Sequence, residues 1–540
     1  MKKKILAAIL ATAMVATVLS GCGSEPAPET EAPAAETEEP AAETEEPAEE
    51  AEAIDPSSLE PVELTWYLHG SNVTDDAAVL EKVNAYLTEK INATLKPIWG
   101  TWGDFDENAV NSLTGGDDVD IYFTCSWSQD EYNKFARDGY WKRLDDPEDN
   151  LIEKYGQDVW ATLPDVLKQG STIDGKDGVG VYAINGFKDY ATQNCWDVNV
   201  PLLEKYGYTL DDVKNAGFYG FGDIFAKVKE GEGKDFYPFL VEGAVLERMV
   251  DNAVIIPGDA ASNNVLSFYL NPDDVSADSP IGNKIVNKFA TDEYKKFVEK
   301  MHEYYEAGYV DPAMGTAQQA NDKRTECQKA GKYLIGTQSY SLGYEDQASQ
   351  ERGFQVEFVP TTDAFVDTTS SQGAMMAISS VSKNPERAMM FLNLLNTDPE
   401  LMTLLNYGVE GVHYDLVDGL VKFNDDARAT YQPWTNGMGN ITILTPTEAQ
   451  GEGYWENEFL PYYQSAKGIP CLGFTFNAEP VSTELANCAN VADQYALALS
   501  VGAIDPATEL PAFLDKLNEA GMEKVVAEAD AQLQAYLSAK

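Results

Sequence analysis

The chain has 540 residues and a formal net charge of −51. That much negative charge argues against nucleic acid or an anionic lipid surface as its partner, because both would repel it. With 6 cysteines and 3 histidines, none in metal-ligand spacing, the chain offers little from which to build a disulfide framework, a metal site or a catalytic triad, so no metal or cofactor is expected.

The chain opens on Lys2, Lys3 and Lys4, followed by an apolar run from Ile5 to Leu19. That run is shorter than the roughly 20 residues a membrane-crossing helix needs, and fits the core of a signal peptide covering residues 1–21. Leu19-Ser20-Gly21-Cys22 resembles the bacterial lipobox, in which the cysteine becomes the first residue and carries lipid. Two or more acyl chains on Cys22 would hold the protein stably on the outer face of a cell membrane. Residues 22–57 carry almost no bulky apolar side chain, and Pro33-Ala34-Ala35-Glu36-Thr37-Glu38-Glu39 repeats at once as Pro40-Ala41-Ala42-Glu43-Thr44-Glu45-Glu46. Such a segment cannot bury enough apolar surface to offset its ordering entropy, and reads as a disordered, self-repelling linker.

From about residue 58 the chain is too long for one ordinary core, which predicts two domains. Val62–Leu68 reads as a strand. Asn72, Thr74 or Asp75 could cap a helix whose apolar face is Ala78, Val79, Val83, Tyr86 and Leu87. Leu95–Trp99 is a second strand, Asp117–Thr124 turns into a third, and 129–137 forms the following helix. Alternating strand and helix predicts a mostly parallel sheet covered by helices, with ligands beyond the carboxyl ends of the strands. Those ends carry Tyr67, the Trp99–Trp102 segment and Ser126-Trp127. Asp117, Asp118 and Asp120 lack the later glutamate of a calcium loop and read as a solvated turn.

Gly178-Val179-Gly180-Val181-Tyr182-Ala183 matches the dinucleotide fingerprint in form, but a turn precedes it and no helix is expected after it. We read it as a strand entering a crossing between domains. Later, Ala374–Ile378 is a short strand, Asn384-Pro385-Glu386 opens a helix with Ala388, Met389, Leu392 and Leu395 on one face, and a second helix runs from Pro399 to Tyr407. Pro511 to Leu537 reads as two amphipathic helices broken at Gly521. Five cysteines besides Cys22 are too scattered and too odd in number to imply pairing.

Several of these segments resemble the extracellular solute-binding proteins of ABC importers, in the carbohydrate-leaning family 1, and more closely the LipO-type lipoproteins of Gram-positive bacteria. The likeness is carried by Ser382–Ala388 with Phe391–Leu395, by Tyr407–Tyr414, by Gly439-Asn440, by Leu472–Phe476 and by Glu479–Glu484. Asp120–Trp127 and Gly180–Ile184 also fit, whereas His69 stands where the family pattern leads one to expect proline. The resemblance implies an α/β fold of the type II periplasmic-binding-protein kind, with two lobes, each a mostly parallel sheet flanked by helices. Lobe 1 would comprise 58–185 with about 370–440, and lobe 2 would comprise 186–369 with about 441–540. It further implies a cleft that closes on a small-molecule solute and a permease in the membrane as partner, with no catalytic residue.

The 9 Trp and 28 Tyr outnumber the 21 Phe, so aromatics with a polar edge predominate. That suits carbohydrate, whose C–H faces pack on rings and whose hydroxyls bond carboxylates and amides. Strand alternation keeps Trp66 and Tyr67 on opposite faces, and we place Tyr67 toward the cleft and Trp66 in the core. The candidate ligand-binding set is Tyr67, Trp102, Asp104, Ser126, Trp127, Glu410, Trp434 and Asn440, the last being one of three Asn-x-Thr sequons, with Trp99 and Trp455 as further aromatics. Two other functions remain compatible with the sequence: a peptide- or metabolite-binding lipoprotein for uptake or sensing, and an exported glycoside hydrolase using paired carboxylates.

Overall fold

A computed structural model describes residues 55–129, 131–241, 253–254, 265–269, 284–315 and 317–540. The leader, Cys22 and nearly all of the linker lie outside the described residues. Two sheets organise what is described.

The first sheet contains β1 (Val62–Leu68), β2 (Ala93–Trp99), β3 (Ile121–Thr124), β4 (Ala183–Asn185) and a late strand (Met375–Ile378). The late strand lies between β3 and β4, antiparallel to both, while β2, β1 and β3 run parallel. The βαβαβ expectation holds because α1 (Ala77–Ile91) and α2 (Phe105–Gly115) supply the two crossovers. None of the proposed caps acts as the N-cap of α1. That position is Asp76, whose carboxylate is taken by the Trp99 Nε1–H at 2.7 Å, while Asp75 accepts from the Ala77 N–H at 3.3 Å.

The second sheet is built from Asn194–Asn199, Phe239–Leu240, Ile335–Ser339 and Val356–Pro360. Its first strand is antiparallel to both neighbours, and the remaining pair is parallel. The buried Asp197 in this sheet accepts from Arg352 at 2.7 Å and from the Tyr333 hydroxyl at 2.8 Å. Residues 186–193 and 361–374 run between the sheets. They meet at a Thr192–Phe365 bridge, and Phe365–Val366 also pairs with Lys467–Gly468. The glycine-rich fingerprint is a strand, as expected. Gly178–Val181 closes a hairpin on Thr172–Gly175 and leads through β4 into the first of these crossings.

Packing explains the later motifs. The helix Pro385–Thr397 has proline in its first turn and buries Met390 and Phe391 besides the four residues expected, so its apolar face is wider than periodicity suggested. It is covered on more than one side, and Phe391 meets the fully buried Trp66 edge-on at 5.2 Å. Arg387 turns its guanidinium to the carbonyls of Ile91 and Asn92 at 2.5 and 2.9 Å, so it closes the C-terminal end of α1. Asp120 is a correction to the solvated turn. It is buried, and its carboxylate takes the Thr65 N–H at 3.0 Å, the Ser382 hydroxyl at 2.5 Å and the Asn384 amide at 3.3 Å. Asp117 and Asp118 are exposed as expected.

At the C-terminus the two helices are Pro506–Ala520 and Met522–Ala539, divided at Gly521. The first starts before Pro511, because Asp505 caps it from the Ala507 N–H and Pro506 supplies the first-turn proline. The long helix before them, Ser482–Ser500, packs on both and on Asp292–Glu306. Among the described residues no helix is long and apolar enough to cross a membrane.

Candidate functional site

The loops that leave the carboxyl ends of β1, β2 and β3 converge. His69 follows β1, Trp102 follows β2 and Trp127 follows β3, and Trp434 arrives from more than three hundred residues downstream. Trp102 and Trp127 have ring centroids 6.2 Å apart with planes 29° apart, and Trp434 lies 5.0 Å from the first and 6.0 Å from the second. Trp102 is 58% and Trp127 46% exposed, so both present open indole surface. Gly70 makes this possible. It holds a left-handed φ of +69°, and a Cβ there would fall 2.7 Å from the Trp102 ring.

Beside Trp127 lies a cavity of about 320 Å³ between the two sheets. Its wall is drawn from both crossing segments, including Asp189, Gln193 and Asp367, from Asn194 at the start of the strand Asn194–Asn199, and from Ser339 at the end of the strand Ile335–Ser339 with Tyr340 and Ser341 beyond it. The Lys188 ammonium pairs with Asp189 at 2.7 Å, and the other Asp189 oxygen accepts from the Ser341 hydroxyl at 2.9 Å. Asp367 caps its own turn, accepting from the Ser370 N–H at 2.6 Å. Burial pushes the Tyr340 hydroxyl well above its ordinary range, so it stays protonated and able to donate. A second cavity, of about 590 Å³, opens beyond Leu342 and is lined by Gly343, Thr435, Asn436, Tyr454 and Trp455 among others. Thr435, next to Trp434 in the chain, thus lines one cavity, and Trp127 lines the other.

The other sequence candidates sit elsewhere in this arrangement. Trp127 donates its Nε1–H to the Gly373 carbonyl at 2.8 Å, and the Ser126 hydroxyl donates to the Thr369 carbonyl at 2.8 Å, so both pin the 361–374 crossing to β3. Asp104 is exposed and receives the Thr101 N–H and hydroxyl, each at 2.7 Å, holding the turn that carries Trp102. Tyr67 packs beneath the cluster, between Phe105 at 5.5 Å and Tyr122 at 5.7 Å. Alternation does separate it from Trp66, but α2 covers the face it occupies. Asn440 is buried. Its carbonyl oxygen accepts from Thr442, and its amide donates to the Asn396 carbonyl at 3.2 Å. Glu410 is exposed in a turn closed by the Val409 N–H bonding His413 Nδ1 at 3.0 Å. Trp455 is buried, its indole N–H on the Leu444 carbonyl at 2.6 Å.

Residues missed in the sequence are Lys188, Asp189, Gln193, Asn194 and Tyr340, on crossing segments and loops with no periodic signal or, for Asn194, at the first position of a strand. His69 was noticed only as a departure, although its place at the end of β1 was signal enough.

Comparison with known proteins agrees with this geometry. Residues 470–538 match the family described as "Domain of unknown function (DUF3502)". A carbohydrate ABC transporter substrate-binding protein of Streptococcus pneumoniae serotype 4 is 27% identical over 469 residues, which is 86% of this chain and 88% of that protein. Crystal structures of the N-glycan transport solute binding protein NgtS from Streptococcus pneumoniae share the fold. One is 26% identical, covers 89% of this chain and 99% of its own, and has a TM-score of 0.73. Another, in complex with Man1GlcNAc, is 25% identical, covers 88% and 100%, and has a TM-score of 0.66. Two sheets joined by crossing segments, a cavity between them and this likeness along most of the chain make the protein similar to the substrate-binding proteins of ABC transporters, with a two-lobed α/β fold.

Proposed function

We propose that the protein captures a neutral oligosaccharide outside the cell and hands it to the permease of an ABC importer, tethered to the membrane by lipid on Cys22. The observation that carries this reading is the cluster of Trp102, Trp127 and Trp434 beside a cavity lined by hydroxyls, amides and carboxylates. Indole faces suit the C–H faces of sugar rings, and the polar wall suits their hydroxyls. The charge balance favours an uncharged sugar, since Lys188 is already matched by Asp189 and no other cation is among the described residues that line this cavity. NgtS, the relative solved with glycans, supports the same class.

The working cycle needs no bond to break. A ligand that touches both lobes stabilises the closed form by its differential affinity, and the closed form docks on the permease. A panel of neutral oligosaccharides tested by thermal shift is expected to contain one that raises Tm with concentration. A clear shift with peptides and none with any glycan would replace sugar by peptide. Shortened glycans after incubation would assign a glycoside hydrolase instead.

A further inference from the structure

At the centre of the tryptophan cluster sits a side chain that sugar stacking leaves unexplained. His69 is only 5% exposed. Its ring centroid lies 4.6 Å from Trp102, 5.3 Å from Trp127 and 6.0 Å from Trp434, and it meets them at 64°, 68° and 62°. Phe105 at 4.4 Å and Phe123 at 5.4 Å complete its surroundings. The imidazole therefore touches all three indoles at once. Its Nδ1 is buried without a hydrogen-bond partner, and its Nε2 lies 3.5 Å from Asp106 Oδ1, an oxygen that is itself buried and unbonded.

We propose that His69 is the positioning residue of the tryptophan platform: its neutral imidazole wedges Trp102, Trp127 and Trp434 into their binding arrangement, and protonation releases them and the ligand. The ligand arm of this proposal rests on the sugar-binding reading of the same site. A neutral imidazole fills the space between the indoles as any aromatic ring would. A protonated one brings a full charge into an enclosure of five rings, where desolvation is costly. The charged group facing it is Asp106, from α2, at a distance too long for a good hydrogen bond. Among the described residues, the loops after β2 and β3, β3 itself and the segment carrying Trp434 bring the rings of Trp102, Trp127, Phe123 and Trp434. Burial accordingly holds the imidazole below its ordinary basicity, with Asp106 working in the opposite direction. Because the arrangement disfavours the proton, it is fully populated above the ordinary histidine value of about 6.5. It is then lost as pH falls from there through the depressed value.

The test compares the wild-type protein with His69→Phe and His69→Ala, reading indole fluorescence without ligand and affinity for the disaccharide Man1GlcNAc from about pH 8 to about pH 5. In the wild type a fluorescence transition is expected below about pH 6.5, with affinity falling about tenfold or more across it. His69→Phe keeps the ring without the titration. It should bind within about threefold of wild type at neutral pH and lose the transition, His413 remaining as an internal control. His69→Ala should bind about tenfold more weakly at every pH. Identical pH profiles in wild type and His69→Phe would overturn the proposal. If no neutral glycan binds the wild type at any pH, the sugar reading fails, and the ligand-free transition alone still decides whether a proton on His69 controls the platform.

Discussion

Single residues divide into those that present surface to a ligand and those that hold the presenting surface in place. Under the proposed function Trp127, nearly half exposed on a cavity wall, is the first kind, and Asn440, buried and bonded on both sides of its amide, is the second. Trp127→Ala is expected to weaken glycan binding about tenfold or more with a small change in Tm. Asn440→Ala should do the reverse, costing about 1–3 kcal/mol of stability from orphaned hydrogen bonds while leaving affinity nearly unchanged. Calorimetric binding and thermal melts on the two variants check both halves. The motif that contains Asn440 carries part of the family resemblance, and in the structure the residue caps a turn and is not among those lining the cavity. Glu410 stands in a similar motif and is likewise part of a turn.

At the level of elements, the 361–374 crossing does the most to shape the site. It lines the cavity with Phe365, Asp367, Thr369, Ser370 and Gly373, and a pair of buried amides stitches it to the helices Tyr132–Asp138 and Asp165–Ser171. Asn133 donates to Gln372 at 3.0 Å, and Gln372 donates back at 3.1 Å and to the Gly170 carbonyl at 2.8 Å. Gln372→Leu leaves the Asn133 amide buried without its partner, which costs about 1–3 kcal/mol. It should also weaken glycan binding, because the Gly373 carbonyl that fixes the Trp127 indole moves with the crossing. A lowered Tm together with lowered affinity is the expected result, and unchanged affinity in a folded protein would mean the crossing does not set the pocket. Strands and helices in this region were legible one at a time, since each carries its own apolar period and punctuation. The late strand Met375–Ile378 was read correctly as a strand, yet nothing local tells that it enters the first sheet between β3 and β4. That insertion depends on pairing across about 250 residues, which no window of sequence contains.

For the whole molecule, two sheets, two crossings and a cavity between them make the binder, and the proposed lipid on Cys22 would set its reach. Cys22→Ser should abolish lipidation and move the protein from the membrane fraction to the medium, with glycan binding intact. A variant that stays on the membrane would mean that something other than Cys22 anchors it. The buried Cys471 and Cys488 fit the same picture of inert packing. Burial pushes the Cys471 thiol up to about 12 and the Cys488 thiol up to about 11, far from thiolate chemistry.

What the sequence determined by itself was the class of thing this protein is. The basic-apolar leader, the acidic linker, the alternation of strand and helix and the excess of tryptophan and tyrosine are local patterns, and local patterns survive without a fold. Trp102, Trp127 and Trp434 were each picked out separately in the sequence. Only the tertiary structure decided that they form one cluster, that His69 lies among them, and that Tyr67 and Asn440 are buried. The physical reason is that burial and ring contact between residues hundreds of positions apart are properties of packed elements, and packing is settled only when the sheets and their crossings close.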